Sequence, residues 1–420
     1  MNEEKNKKKR QHLIPKLLIK YFLHNKKEQL YYYQRFNSKE LKIGSTKYRS
    51  KYEDVAQKEY YYENKNFETN EIENKLSEIE NYIGKVFSKI TKSFENKCEK
   101  IKLSWSENYI LRLFVSLHGI RTDSVKINAL NQTGDFVFNQ RYKNLGEDDL
   151  KFLQLKKIDF LFEVFNLIKE NNPEKFGTFS YEIWGNSDYL NLIRKENFTL
   201  EDNLNFFKID TMLFILQRQT VIFFNTGKNN FILSDSSLIT LSDLNSNIIL
   251  YYYFIIHPKI IIFWRWRPDF KSFIDVYGVL WNGVEKNIPQ LYKDFIIEKI
   301  DDKGRSLTFY HPYYIYYHFY KYGPFETFYI HEPFYFDFDN NYEYFGKIYD
   351  YSICDILNAM SVQHSKFYSF FIDKNDIKKV NKIIESGIVI RIEDINEIKS
   401  MFQYIWYEYL NYYFNNEIKK

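Results

Sequence analysis

Apolar residues recur along this chain with two different periods, and the change of period divides it into four stretches. Residues 13–22 are largely apolar with Pro15 near their start, and residues 29–36 are rich in aromatics that favour strands, so the opening is expected to be a strand-rich cap. From Thr69 the spacing becomes helical: Ile72, Leu76, Ile79, Ile83, Val86 and Ile90 follow at steps of three and four, the repeat of one helix face. A second helix is predicted from Ser104, which stands at capping-box spacing from Glu107, through Leu111, Phe114 and Leu117 to a stop at Gly119. A third covers about 148–169 and ends before Asn171-Asn172-Pro173. Beyond Lys208 the pattern predicts strands at 221–224, 231–233, 248–256 and 260–264, separated by Gly, Asn, Ser and Pro turns. Helical steps return at Ile353, Ile356 and Leu357, at Ile377, Val380 and Ile384, and at Phe402, Ile405, Trp406 and Leu410.

The expected fold class is therefore α+β: a strand-rich N-terminal cap, a helical middle, an antiparallel sheet over about 209–350, and C-terminal helices. Residues 1–10 read as a basic disordered leader, 11–265 as the core, 266–350 as an aromatic-rich insertion or divergent segment, and 351–420 as a helical part packing on the core. No repeat of 20 to 50 residues is visible, which argues against a solenoid.

Composition narrows the class further. Hydrophobic content of 45% and aromatic content of 20% exclude global disorder, because enough apolar surface is present to offset chain entropy. The 38 Tyr and 39 Phe stand beside only Ala56, Ala129 and Ala359, a bias expected of an A- and T-rich coding sequence, and it weakens any functional reading of the aromatics. Lys and Arg total 59 against 55 Asp and Glu, a net +4 that is too balanced to be a nucleic-acid footprint by itself. The densest basic run, Lys5, Lys7, Lys8, Lys9 and Arg10, reads as a solvated leader, with attraction to phosphate or acidic lipid as the alternative. No apolar h-region follows it, so it does not read as a secretory signal. Cys98 and Cys354 lack the paired spacing of a zinc site or disulfide framework, which points to a reduced, cytoplasmic setting. The longest apolar stretch, 248–264, is interrupted by His257-Pro258-Lys259; its pieces fall short of the ~20 residues of a spanning helix, so two buried strands and no membrane partner are expected.

The candidate chemistry lies in polar groups beside strongly apolar runs, where an unpartnered group is costly. His12, preceded by Gln11 and followed by Pro15, is the leading acid/base candidate because imidazole titrates nearest neutrality; the alternative is that both side chains bond backbone at the core edge. Glu73 and Glu80 stand seven residues apart on one helix flank, about 10.5 Å along the axis, too far to share a proton. Either acts with a group from elsewhere, or both are surface charges. Arg121 offers a fork of donors for phosphate, or a partner for Glu80. Ser234-Asp235 closes a strand, a location shared by catalytic acids and by turn-forming pairs. The site reading is thus His12, Glu80 and Asp235 as catalytic groups and Gln11, Arg121 and Ser234 as substrate-binding groups, with no metal ligands and no identified cofactor. Asp337-Phe338-Asp339-Asn340-Asn341 imitates a calcium loop, but Tyr342 and Ile348 occupy its glycine and glutamate positions. Asn225-Thr226-Gly227-Lys228 reads as a hairpin turn rather than a phosphate loop. His311, His318 and His331 lack the spacing of a helical zinc pair.

The order of these clusters resembles the bacterial domain of unknown function family 4238. The resemblance is carried by Gln11-His12 with Pro15, Ile72-Glu73 through Ile79-Glu80, Gly119 to Arg121, Phe231 to Asp235, Phe254 to Lys259, Leu357-Asn358 and Ser365-Lys366-Phe367-Tyr368. Asp123, Ser236-Ser237 and His257 depart from the family pattern. Some members look like effectors of antiphage defence, so the resemblance implies an intracellular conflict role. The expectation is an effector cleaving nucleic acid or nucleotides, with a phage trigger or protein partner, and the alternative is a non-enzymatic sensor or interaction module whose polar clusters are structural.

Overall fold

The computed structural model describes residues 10–12, 14–24, 29–36, 40–47, 57–59, 71–121, 145–185, 192, 195, 197–235, 238–242, 249–266, 296–300, 306–310, 328–331, 333–344, 347–364, 368–372, 374–385, 401, 404–405 and 408. It is an α+β protein. Strand β1 (Arg10–His12) precedes helix α1 (Lys16–Ile19), a 3-10 turn (Lys20–Phe22), and strands β2 (Leu23–His24), β3 (Gln29–Phe36), β4 (Glu40–Lys47) and β5 (Gln57–Glu59). The first apolar stretch, expected as strand, is mostly helical. The Pro15 carbonyl accepts the amides of Leu18 at 3.0 Å and Ile19 at 3.4 Å, and Ile14, Leu18 and Phe22, each four apart, enter the core together.

The helical middle begins with α2 (Glu71–Glu95), whose Leu76, Ile79, Ile83, Val86, Phe87 and Ile90 are all fully buried. Each such side chain contributes about 1.5–3 kcal/mol, so burial of this stripe, rather than intrinsic propensity, holds the helix. Strand β6 (Ile101–Ser104) runs directly into α3 (Trp105–Arg121). The predicted capping box forms: the Glu107 amide donates to Ser104 Oγ at 3.1 Å and the Ser104 amide to Glu107 Oε2 at 2.8 Å. Gly119 does not stop this helix, which continues to Arg121; a Cβ at Gly119 would lie 3.5 Å from Leu238 Cδ2, so the glycine faces a neighbouring strand. Helix α4 (Glu147–Lys169) ends where Asn171 takes a φ of 54°, and α5 (Pro173–Gly185) folds back beside it. Helix α6 (Leu200–Gln217) extends past Lys208, where strands were expected; Ile209, Met212 and Ile215, at steps of three, are buried by its packing on α3 and α4.

Strands β7 (Arg218–Asn225), β8 (Leu233–Ser234), β9 (Leu238–Ser242), β10 (Ile249–His257), β11 (Ile260–Trp266), β12 (Ile296–Ile300), β13 (Ser306–Tyr310), β14 (Phe328–His331), β15 (Phe334–Phe336), β16 (Asn341–Tyr344) and β17 (Lys347–Ser352) follow. Helix α7 (Ile353–His364), strand β18 (Tyr368–Phe371) and helix α8 (Lys374–Glu385) come last, and Met401 and Ile405 are helical and buried. The main sheet has the order β15-β7-β11-β10-β9. It is antiparallel except for β15, which pairs with β7 in parallel, so the expected antiparallel sheet is mixed at one edge. Residues 252–256 of β10 and 260–264 of β11 are buried without alternation, the mark of strands covered on both faces. A second sheet, β2-β3-β18-β8 with β4 also on β3, joins strands from the start, middle and end of the chain. His311, His318 and most of 266–327 lie outside the described residues. Among the described residues no helix is long and apolar enough to cross a membrane.

Candidate functional site

Strand β7 belongs to the main sheet and β8 to the second, so the segment 226–232 crosses from one to the other. This corrects the hairpin expected at Asn225 to Lys228. A hairpin turn is closed by its own strands, whereas this loop depends on groups remote in sequence. Asn225 starts it: Oδ1 accepts the amides of Gly227 at 2.8 Å and Phe338 at 3.3 Å, and Nδ2 donates to the Asn229 carbonyl at 2.9 Å. The Asn225 amide donates to the Lys259 carbonyl at 2.8 Å, and the Phe231 amide to the Pro258 carbonyl at 2.8 Å, which fastens both loop ends to the β10–β11 turn.

Two opposite charges fix the middle of the loop. The Lys259 ammonium donates to the carbonyls of Gly227, Lys228 and Asn229 at 2.7, 2.9 and 2.6 Å. An ammonium has three donors, and here each has an oxygen. On the amide side the Asp339 carboxylate accepts from the backbone of Lys228 and, at 3.1 Å, of Asn229, while Asp337 Oδ1 accepts the Asp339 amide at 2.9 Å. The aspartates that imitate a calcium loop thus bind backbone amides. A Cβ at Gly227 would stand 2.5 Å from Asp339 Cγ, so only glycine permits the carboxylate to approach this closely.

Helix α7 holds the far half. Asn358 Oδ1 accepts the Ile232 amide at 2.8 Å, its Nδ2 donates to the Asn230 carbonyl at 2.8 Å, and Ser234 Oγ bonds the Ser361 carbonyl at 3.0 Å and hydroxyl at 2.8 Å. Ser352 caps α7 by accepting the Asp355 amide at 3.1 Å, and the same oxygen meets Asn229 Nδ2 at 3.3 Å. Lys379 of α8 reaches Asn229 Oδ1 at 3.2 Å.

Electrostatics follow from burial. Desolvation pushes the Cys354 thiol well above its usual range, helped by Asp355, Asp339 and Asp376. It is a neutral thiol. Burial also lowers Lys259, opposed by the carboxylates of Asp339, Asp376 and Asp337. Burial and the nearby Lys259 lower His257 to about 4, and its Nδ1 accepts the Lys259 amide at 3.1 Å, as a neutral ring must. The arrangement therefore combines a protonated thiol, a serine engaged by another serine and an ammonium taken up by three backbone carbonyls.

The six candidate residues fall as follows. Ser234 and Asp235 are both buried, at 0% and 4% exposure, at the end of β8. Gln11 and His12 lie in β1, opposite Lys58 and Gln57 of β5; their side chains lie outside the described ones. Arg121 is the last residue of α3, its side chain likewise outside them. Glu80 is half-buried on α2, while Glu73, one of the same pair, is the buried member. Helix α3 packs on β9, the strand that follows Asp235, and its terminus at Gly119 lies close enough that a Cβ there would meet Leu238. Asp123, Ser236, Ser237 and 365–367 lie outside the described residues.

Lys259, Asn225, Asp339 and Ser361 were missed as a site. Lys259 and Asn358 stood in quoted motifs, but nothing local tells that their partners are backbone atoms elsewhere in the chain. Arg112 was missed as well: it is 1% exposed in α3, its Nε donates to Thr220 Oγ1 at 3.1 Å and its Nη1 to the Ile215 carbonyl. His331, lowered to about 4 by burial and by Arg112, bonds the Thr220 backbone beside it. Among the described residues no group of three or more His, Cys, Asp or Glu is placed to hold a metal ion.

Three of the motifs that carried the resemblance, Phe231 to Asp235, Phe254 to Lys259 and Leu357-Asn358, are thus neighbours around one loop. No curated protein and no solved structure matches this chain. A family described as Protein of unknown function (DUF4238) matches residues 10–386, and the chain belongs to that family.

Proposed function

We propose that this protein serves bacterial antiphage defence inside the cell as a sensor or interaction module, with its polar motifs acting as structural fasteners. The observation that carries this reading is the Ser234 hydroxyl, which is fully buried and committed to Ser361. The saturated Lys259 ammonium supports it in the same way. A group whose hydrogen-bonding capacity is filled by its own chain contributes order rather than chemistry.

A second reading, cleavage of nucleic acid or nucleotides by His12, Glu80 and Asp235 with Gln11, Arg121 and Ser234 on substrate, has one observation in its favour. The packing of α3 on β9 brings the helix end where Arg121 stands toward the strand after Asp235, and arginine and aspartate are residue types suited to phosphate chemistry. Purified protein incubated with labelled DNA, RNA and nucleotides, with and without divalent metal, separates the two. The module reading expects no turnover, together with joint loss of folding and phage protection in Asp235→Ala. Turnover abolished by His12→Ala or Asp235→Ala in a folded protein would replace it with the hydrolase.

A further inference from the structure

Helices α4 and α5 form a hairpin with an open groove of about 820 Å³ along it. One wall is the α4 stripe Asp159, Glu163, Asn166 and Glu170; the other is Lys175, Thr178 and Glu182 of α5, and Phe162, Leu167 and Phe179 supply the apolar floor. Four carboxylates against one ammonium leave the lining acidic. Two are answered internally, since Lys75 meets Asp159 at 2.9 Å and Lys175 meets Glu170 at 2.8 Å. Glu163 of α4 and Glu182 of α5 both line the groove, both exposed and neither in an ion pair among the described residues. The α4 stripe runs on through Lys156, whose ammonium lies 5.5 Å from the ring centre of Phe152, a side chain that is 48% exposed.

We propose that this groove is a docking site for a cationic amphipathic helix of a partner protein. The lining of α4 from Asp159 to Glu170 is about 16 Å long at 1.5 Å per residue, room for three turns of a third helix. Such a helix would lay apolar side chains on Phe162, Leu167 and Phe179, as helix-in-groove partners do, while Lys or Arg at its edges meet Glu163 and Glu182. The charge left unanswered selects the sign of the partner, and the apolar floor selects an amphipathic helix over a simple polycation. This holds under either functional reading, because the groove includes none of the six candidate site residues.

The test uses the full-length protein and a fluorescently labelled peptide of about 15 residues carrying leucines on one helical face and lysines on the other. Anisotropy titrations compare it with the same peptide bearing glutamate for lysine, and with spermine as competitor. The expected result is saturable binding of the lysine peptide alone, a gain of peptide helicity, and affinity weakened about tenfold or more by Glu163→Lys with Glu182→Lys. Should the reversed protein fail to fold, Glu163→Gln with Glu182→Gln takes its place, with a smaller loss in the same direction. No binding, binding indifferent to these changes, or equal competition by spermine would overturn the proposal. So would self-association abolished by the same reversal, which would assign the groove to a second copy of the chain.

Discussion

Asn358 bonds the Ile232 amide through Oδ1 and the Asn230 carbonyl through Nδ2, both at 2.8 Å, so one side-chain amide stands where a neighbouring strand would otherwise pair. It joins α7 to a backbone segment more than a hundred residues earlier in the chain. Removing it leaves a buried donor and a half-buried acceptor together. Asn358→Ala is expected to destabilise the protein by about 2–4 kcal/mol, whereas Ser361→Ala costs about 1 kcal/mol, as read from urea midpoints at constant slope.

Lys259 fills a cage of three carbonyl oxygens that is chemically a monovalent-cation site. Lys259→Ala is expected to lose about 2–4 kcal/mol, because the oxygens lose a charged donor they share. Carbonyl cages of this kind replace the hydration shell of potassium, so potassium or ammonium salts should restore part of the melting temperature of the variant and leave the parent unmoved. Thermal melts in matched potassium, ammonium and sodium chloride check this. Equal behaviour in all three would show that the cage collapses once emptied.

Gly227 is needed for space. A Cβ there would stand 2.5 Å from Asp339 Cγ and 2.6 Å from Asp337 Oδ1, well inside contact distance. Gly227→Ala is expected to cost about 1–3 kcal/mol through displacement of the aspartate pair, and Gly227→Ala with Asp339→Ala should recover part of that loss. A double-mutant cycle in denaturant measures the coupling.

Two histidines give the protein a predictable acid limb. His257 and His331 are both lowered from 6.5 to about 4, chiefly by burial, with Lys259 acting on the first and Arg112 on the second. A depressed folded-state value means that the unfolded chain binds the extra proton first. The stability contribution is therefore complete above about pH 6.5 and is lost as pH falls toward 4, with a slope of up to about 1.4 kcal/mol per pH unit for each ring. In His257→Gln, whose amide oxygen can still accept the Lys259 amide, the slope should fall by the share of one ring. Denaturation midpoints between pH 4 and 7 in both proteins test this.

Features governed by neighbours in sequence could be read directly. The Ile72 to Ile90 stripe repeats every three to four residues, and only an α-helix puts those positions on one side, so α2 follows once any apolar surface is available to cover it. The Ser104 and Glu107 cap closes over three residues, and the His257-Pro258-Lys259 turn between two apolar runs leaves little besides a strand pair. The family relationship was legible for the same reason, as an order of short motifs.

What required the tertiary structure is set by partners far apart in the chain. Residues 209–217 suit strand or helix equally in composition, and packing on α3 and α4 decides for α6. The loop after Asn225 reads locally as a turn, yet its path is dictated by Lys259 and Asp339, whose roles appear only once β11 and the β15 region lie beside β7. Arg112 looks like an exposed charge between two leucines until Thr220 and the Ile215 carbonyl enclose it. A hydrogen bond between residues a hundred positions apart leaves no period and no spacing to detect. The polar groups of this chain could therefore be named in advance, but the backbone atoms they serve are chosen by the packing of the sheets and helices.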